Sequence, residues 1–210
     1  IMSTTIDFME SAFDFVHFDG RHTMERNLTR EPISYGVQSI GSTRGASSHQ
    51  HNPFVILCDH DANEEYGNCY GFSLVYSGNF RCEVEKDQFD QTRIQFGINP
   101  KGFSYQLKPN EKFIAPEVVL AYSSQGFTKL SHLYHNVYRE NLCRSPRAKE
   151  IRPIVINSWE ATYFNFDDTK LLNIAREAVD MGVDLFVLDD GWFGKRDDDS
   201  SGLGDWNVNT

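Results

Sequence analysis

The chain has 210 residues, 30 Asp and Glu against 20 Lys and Arg, and a formal charge of −10. That length can bury a real core, in one large domain or two small ones. With no Lys/Arg run, the acidic balance excludes nucleic acid as a partner, because phosphate neutralisation needs clustered cations. No apolar run approaches the roughly 18 residues of a membrane span.

Cys58, Cys69, Cys82 and Cys143 are scattered, without Cys-x-x-Cys spacing. Neither a zinc site nor a disulfide framework is indicated, and a reducing, cytoplasmic compartment fits best. Ile1 precedes Met2, and Asn207–Thr210 arrives without a closing element, so the sequence predicts a piece of a longer protein.

From about residue 10 to 122 the pattern is of many short strands. Ala12–Phe18 alternates loosely and is predicted to end at an Asp19-Gly20 turn. Ile33–Ile40 follows, then a polar loop over 41–53 and the apolar run Phe54–Cys58. Cys69–Tyr76, a turn at Ser77-Gly78-Asn79, and Phe80–Glu85 come next. The last alternates cleanly, so one face should be buried, with Glu83 and Glu85 solvated on the other. Thr92–Ile98, Phe103–Leu107 and Glu117–Tyr122 complete an antiparallel, all-β sandwich over residues 1–125.

After Gly126 the period changes. Leu130, Leu133, Tyr134, Val137 and Tyr138 predict a helix from about Thr128 to Leu142, and the polar stretch 144–150 reads as a connector, so 126–152 is helix and linker. Residues 153–210 then show a short buried strand (153–160), a helix with Asp168 as N-cap and Leu171, Leu172, Ala175, Ala178 and Val179 on one face, and a stop at Gly182. Leu185–Leu188 follows as a strand buried on both faces, ending in Asp189-Asp190-Gly191-Trp192. Strand, helix, strand with short joints is a βαβ unit with parallel strands.

Ligands bind at the carboxyl ends of strands in such units. One strand delivers Asn157, Ser158, Trp159 and Glu160 there, the other Asp189, Asp190 and Trp192. Two adjacent carboxylates at a buried strand end repel and lose hydration, so a cation, a metal or a hydroxyl-rich ligand must compensate. Carboxylates beside indole faces suit a sugar, whose hydroxyls donate to the oxygens while its C–H face packs on the ring. A turn with Asp-Gly chosen for its backbone is the alternative. Asp197-Asp198-Asp199 reads as a solvated loop more than a metal site, and His49 and His51, in a Ser-rich loop, as structural or interface residues.

Taken together, Asn157-Ser158-Trp159-Glu160-Ala161, Leu188 through Arg196 and Leu203-Gly204-Asp205-Trp206 resemble the start of the barrel in the microbial α-galactosidases of glycoside hydrolase family 36. Arg44 through Phe54 and Tyr76 through Phe80 resemble that family's N-terminal β-sandwich. The resemblance implies a multidomain fragment: a β-sandwich followed by the beginning of a (β/α)8 TIM barrel, from a retaining hydrolase of α-galactoside oligosaccharides of the melibiose and raffinose type. It implies an oligomer, often a tetramer; with no His or third carboxylate beside Asp189 and Asp190, no metal and no cofactor are expected.

By residue, the resemblance makes Asp189 and Asp190 the hydroxyl-binding pair and puts Trp159 at the pocket wall, with Trp192 beside them. In some members the turn matching Gly20-Arg21-His22 carries a tryptophan that reaches a neighbouring subunit's site; here His22 stands there. A full barrel needs about 250 residues, so the nucleophile and acid/base are expected beyond Thr210. Retaining hydrolysis needs carboxyls about 5–5.5 Å apart across the scissile bond, which adjacent Asp189 and Asp190 cannot straddle. A non-enzymatic carbohydrate-binding or oligomerisation module, a metal-dependent barrel enzyme, and a relative acting on α-N-acetylgalactosamine or transferring galactosyl groups remain as alternatives.

Overall fold

A computed structural model describes residues 2–9 and 12–209; the expectations about Ile1 and Thr210 fall outside them. The chain forms two compact units, Ile1–Arg144 and Ser145–Thr210.

The first unit runs β1 (Met2–Phe8), β2 (Phe13–Arg21), β3 (Met24–Pro32), β4 (Gly36–Gly41), β5 (His51–Asp59), β6 (Cys69–Leu74), β7 (Phe80–Lys86), β8 (Thr92–Ile98), β9 (Val118–Ser123) and α1 (Gly126–Val137). All pairing within its two sheets is antiparallel, in the orders β1-β8-β7-β4 and β3-β2-β5-β6-β9. Phe13, Phe15, Val55, Leu57, Phe72 and Leu74 of the larger sheet meet Phe80, Cys82, Val84, Ile94 and Phe96 of the smaller in one core. The all-β sandwich is therefore present. Phe80, Cys82 and Val84 are buried while Arg81, Glu83 and Glu85 are only partly so, and Arg81 pairs with Glu83 at 2.6 Å.

The larger sheet is covered on its other face too, by a second core of Val16, Ile56, Cys58, Cys69, Leu130 and Tyr134. Leu130 and Tyr134 come from α1, whose chain continues as one π-type turn over Tyr138–Leu142, matching the predicted helix within two residues. No side chain caps α1; instead the carbonyls of Gly67, Asn63 and Glu64 accept from the amides of Gly126, Phe127 and Thr128. The Tyr134 hydroxyl donates to the Val119 carbonyl at 3.0 Å, and its ring lies over Gly71, where a Cβ would come within 2.6 Å of it.

Three expectations for this unit are corrected. β2 does not end at Asp19-Gly20. It continues to Arg21, and the hairpin turns at His22-Thr23, because a register shift between Asp19 and Arg21 packs Gly20 against the backbone of Met24 and Glu25. Segment 103–107 is not a strand: Phe103 and Tyr105 instead pack on Phe113, and the Tyr105 hydroxyl donates to Glu111 at 2.6 Å. β3 was not foreseen, since as an exposed edge it carries charge where a buried strand would alternate. Its Arg30 ties it in, pairing with buried Asp14 at 2.6 Å and donating to the carbonyls of Asp59, His60 and Ala62. β1 also lay outside the predicted strands.

The second unit contains β10 (Val155–Asn157), α2 (Trp159–Thr162), α3 (Asp168–Asp180) and β11 (Leu185–Val187). β10 and β11 pair parallel, Val155 opposite Leu185 and Asn157 opposite Val187, as the βαβ reading requires. Asp167, not Asp168, caps α3 by accepting from the Lys170 amide at 2.8 Å. The helix ends as predicted at Gly182, at φ 83°, with Gly182 and Val183 donating back to Val179 and Ala178 in a Schellman arrangement. Leu172 and Val179 are exposed, so the inward face is Leu171, Ile174, Ala175 and Ala178.

The strand at 185–188 is not buried on both faces. Leu185 is 46% and Val187 39% exposed, because among the described residues β10 and β11 pair only with each other. Among the described residues, no helix is long and apolar enough to cross a membrane.

Gly71→Ala should destabilise the chain by about 1–3 kcal/mol in urea titration, through overpacking beneath Tyr134. In the double variant with Tyr134→Ala, the two costs should sum to less than their separate values.

Candidate functional site

The carboxyl ends of β10 and β11 are joined by Ser158. Its side chain is buried, its amide donates to the Val187 carbonyl at 3.3 Å, and its hydroxyl accepts from the Asp189 amide at 3.3 Å. One small polar residue thus fixes where the first carboxylate leaves the strand. Trp159 follows on α2, half-buried, edge-on to Tyr163 and Phe164 at ring-centre separations of 5.2 and 5.0 Å. Tyr163 sits at φ 49°, a left-handed conformation that β-carbon sterics disfavour, and its hydroxyl donates to Glu160.

Asp189 and Asp190 follow β11 after Leu188, both half-buried. They are not equivalent. Asp189 Oδ1 accepts from the Asp190 amide at 2.8 Å. Asp190 Oδ1 accepts from the Gly191 amide at 2.9 Å, and Arg196 Nε lies 2.6 and 2.8 Å from its two oxygens. The Arg196 guanidinium beside Asp190 holds that carboxyl below the usual carboxylate range, and Asp190 in turn raises the Arg196 pKa. A buried cation is the compensation that two neighbouring carboxylates require. Arg196 was not singled out from sequence. The available signal was a lone Arg six residues after Asp190 across a Gly-Trp-Phe-Gly turn, and only folding reveals its partner.

Gly191, at φ 92°, lets the chain turn here. A Cβ on it would press on Phe164 and Phe166 at 3.1 Å. Trp192 is half-buried and edge-on to buried Phe193, which packs on Trp206 at 4.6 Å. The strip 192–194 is secured by 207–209, through Gly194 to Asn207 and Asn209 to Trp192 backbone bonds.

The structure therefore places Asp189, Asp190 and Trp192 in succession at one strand end, and Trp159 directly after the serine that anchors Asp189. The unit's hollow, about 580 Å³, is lined by Val155, Ile156, Asn157, Glu160, Ala161 and Val187 and not by the carboxylate pair. It is the uncovered flank of a two-stranded sheet. His22 lies on the first unit, exposed at the β2–β3 turn.

The first unit holds two other features of note. A cavity of about 670 Å³ lies against α1, lined by Phe18, Leu28, Phe54, Ile56, Leu130 and Tyr134 among others; its walls are largely apolar and hold no carboxylate pair. His17, Asp19 and His51 present ligand-type atoms within 4.8 Å of one another. Asp19 lies 2.5 Å from His51 and 2.9 Å from His17, shorter than the separation of about 3.3 Å between two ligands of one tetrahedral zinc ion. Asp19 and His51 form a direct carboxylate–imidazole pair. Burial raises the Asp19 pKa, but the Thr29 hydroxyl, His51 and His17 outweigh it and hold the group below its ordinary value. Cys58, Cys69 and Cys82 are buried free thiols, and desolvation pushes Cys58 up to about 12 and Cys69 to about 11.

The chain is thus an antiparallel sandwich followed by a parallel βαβ unit whose strand ends carry carboxylates and indoles. Residues 1–108 match the glycosyl hydrolase family 36 N-terminal domain, and residues 112–210 match melibiase. The chain belongs to glycoside hydrolase family 36, and its second unit is the beginning of that family's barrel.

It is 52% identical over 204 residues to the bifunctional α-galactosidase/sucrose kinase AgaSK of Mediterraneibacter gnavus, covering 97% of this chain and 22% of that protein. It is 50% identical over 208 residues to α-galactosidase AgaA of Geobacillus stearothermophilus, covering 99% of this chain and 28% of AgaA. The crystal structure of an AgaA variant in complex with raffinose superposes with a TM-score of 0.95 at 50% identity, over 98% of this chain and 29% of that one. This chain thus spans under a third of these relatives' lengths.

Two outcomes follow from the geometry. Ser158→Ala should cost about 1 kcal/mol and speed hydrogen exchange at the Asp189 amide, read by NMR. Because the folded Asp190 carboxyl is depressed, its stabilising contribution is present above the unfolded value of about 3.9 and is lost as pH falls through the lower folded value. The Asp190 carboxyl carbon shift should therefore titrate below about 3.9, and Asp190→Asn should abolish that acid-side step.

Proposed function

We propose that the full-length protein carrying this chain hydrolyses terminal, non-reducing α-D-galactose from melibiose- and raffinose-type oligosaccharides with retention of configuration. The observation that carries this reading is the end of β11, where two carboxylates of different bonding leave the strand with an indole on either side in sequence. The raffinose complex of a relative half identical to this chain supports the substrate class. Asp189 and Asp190 accept galactose hydroxyls, and Trp159 and Trp192 wall the ring.

Cleavage needs a nucleophile and an acid/base on opposite sides of the anomeric carbon. These are assigned to later barrel strands, outside this chain. On this reading the parent divides into sandwich (1–125), helix and linker (126–152) and barrel (from 153). The exposed apolar residues Val155, Leu185 and Val187 are the positions that further barrel layers cover. His22 is assigned to substrate binding, standing where some family members carry a tryptophan that reaches a neighbouring subunit's site; the parent is a homotetramer, and the free thiols suit a cytoplasmic protein.

Turnover of p-nitrophenyl α-galactoside tests the reading. The full-length protein should be active and residues 1–210 alone should not. Asp189→Asn and Asp190→Asn should each lower kcat/KM about tenfold to a hundredfold, as expected for lost hydrogen bonds to a charged group. A full-length protein that binds galactose without turning it over would instead be a binding module.

A further inference from the structure

We propose that Arg196 is the positioning residue of the carboxylate pair, fixing Asp190 in one orientation and leaving Asp189 as the more open acceptor for ligand hydroxyls. This rests on the reading of Asp189 and Asp190 as galactose-binding residues.

The first support is the socket around Arg196. Its side chain is only 6% exposed, and Nη1 donates to the carbonyls of Ser201 at 2.6 Å and Asp198 at 3.3 Å. Its guanidinium carbon sits 5.8 Å from the Phe164 ring centre. Gly202 turns at φ 88° beside it, where a Cβ would come within 3.0 Å of the Arg196 Cβ. A guanidinium anchored on backbone carbonyls and an aromatic face cannot follow the carboxylate if it moves. The carboxylate must come to the guanidinium.

The second support is the count of acceptor sites. A carboxylate offers about four lone-pair sites. On Asp190 the Gly191 amide and the Arg196 Nε occupy Oδ1, and Nε also shares Oδ2. Asp189 accepts only from the Asp190 amide, through Oδ1, among the described residues. Asp190 therefore presents one directed acceptor and Asp189 several, which suits a vicinal pair of hydroxyls that must be read in one register.

The third support is charge. Asp190 is faced by Arg196, while Arg196 is faced by Asp190, Asp198 and, at 3.6 Å, Asp199. Without the guanidinium, Asp190 would lose the hydrogen bond that most depresses its carboxyl and would take up a proton at higher pH.

The test is calorimetric titration of galactose into the full-length protein, its Arg196→Met and Arg196→Lys variants, and Asp189→Asn and Asp190→Asn, from pH 7 to pH 4. Arg196→Met should weaken binding roughly tenfold to a hundredfold, raise KM for p-nitrophenyl α-galactoside far more than it lowers kcat, and move the acid limb of binding to higher pH. Arg196→Lys, which keeps the charge but not the planar fork, should leave the acid limb in place and still bind more weakly. Wild-type affinity and pH dependence in folded Arg196→Met overturns the proposal. If that variant does not fold, wild-type affinity in Arg196→Lys overturns it. Wild-type affinity in both Asp variants would instead overturn the underlying site reading, so the two failures are distinguishable.

Discussion

The double-sided burial of the five-stranded sheet is the constraint on which the first unit depends. Phe13 and Phe15 of β2 enter the core between the sheets, while Val16 of the same strand enters the core under α1. A strand buried on both faces has no solvated side to relax toward, so its register is fixed by two sets of partners at once. The helix that closes the second face approaches closely because Gly71 has no side chain and Tyr134 fills the space above it. The loop 63–67 then supplies the carbonyls that end α1's unsatisfied amides, so sheet, loop and helix are held as one unit.

The second unit is organised differently. Its parallel strands are three residues each and keep apolar side chains exposed. What holds its site is polar and local: Ser158 between the strand ends, Arg196 on Asp190, and the 207–209 segment on 192–194. This inverts the usual order, in which a finished core supports a polar site. It fits a barrel segment in which the site-forming turns are complete within the segment, while the hydrophobic layers are shared with strands elsewhere.

The parts legible in the sequence were those with a clean period or a local backbone signature. The alternation of Phe80–Glu85, the 3-and-4 spacing of Leu130 and Tyr134, and the Gly182 stop are each dictated by neighbouring residues, and each appears where expected. The edge strand β3 was illegible for the opposite reason. Its Met-Glu-Arg-Asn-Leu-Thr-Arg run has no apolar period, and its place comes from Arg30 reaching Asp14 and three carbonyls. The Asp19-Gly20 pair looked like a turn because the same dipeptide serves both turns and bulges. Only the partner strand's register decides between them.

By itself the sequence determined the sandwich, the βαβ unit and the strand end that carries Asp189 and Asp190, since all three follow from hydrophobic period and chain order; that the βαβ unit opens a barrel came from the resemblance to family 36. Tertiary structure decided how the two carboxylates differ. A dipeptide of identical side chains contains no asymmetry of its own. The asymmetry comes from Arg196, brought back by a glycine-rich turn, and from Ser158, brought across from the neighbouring strand.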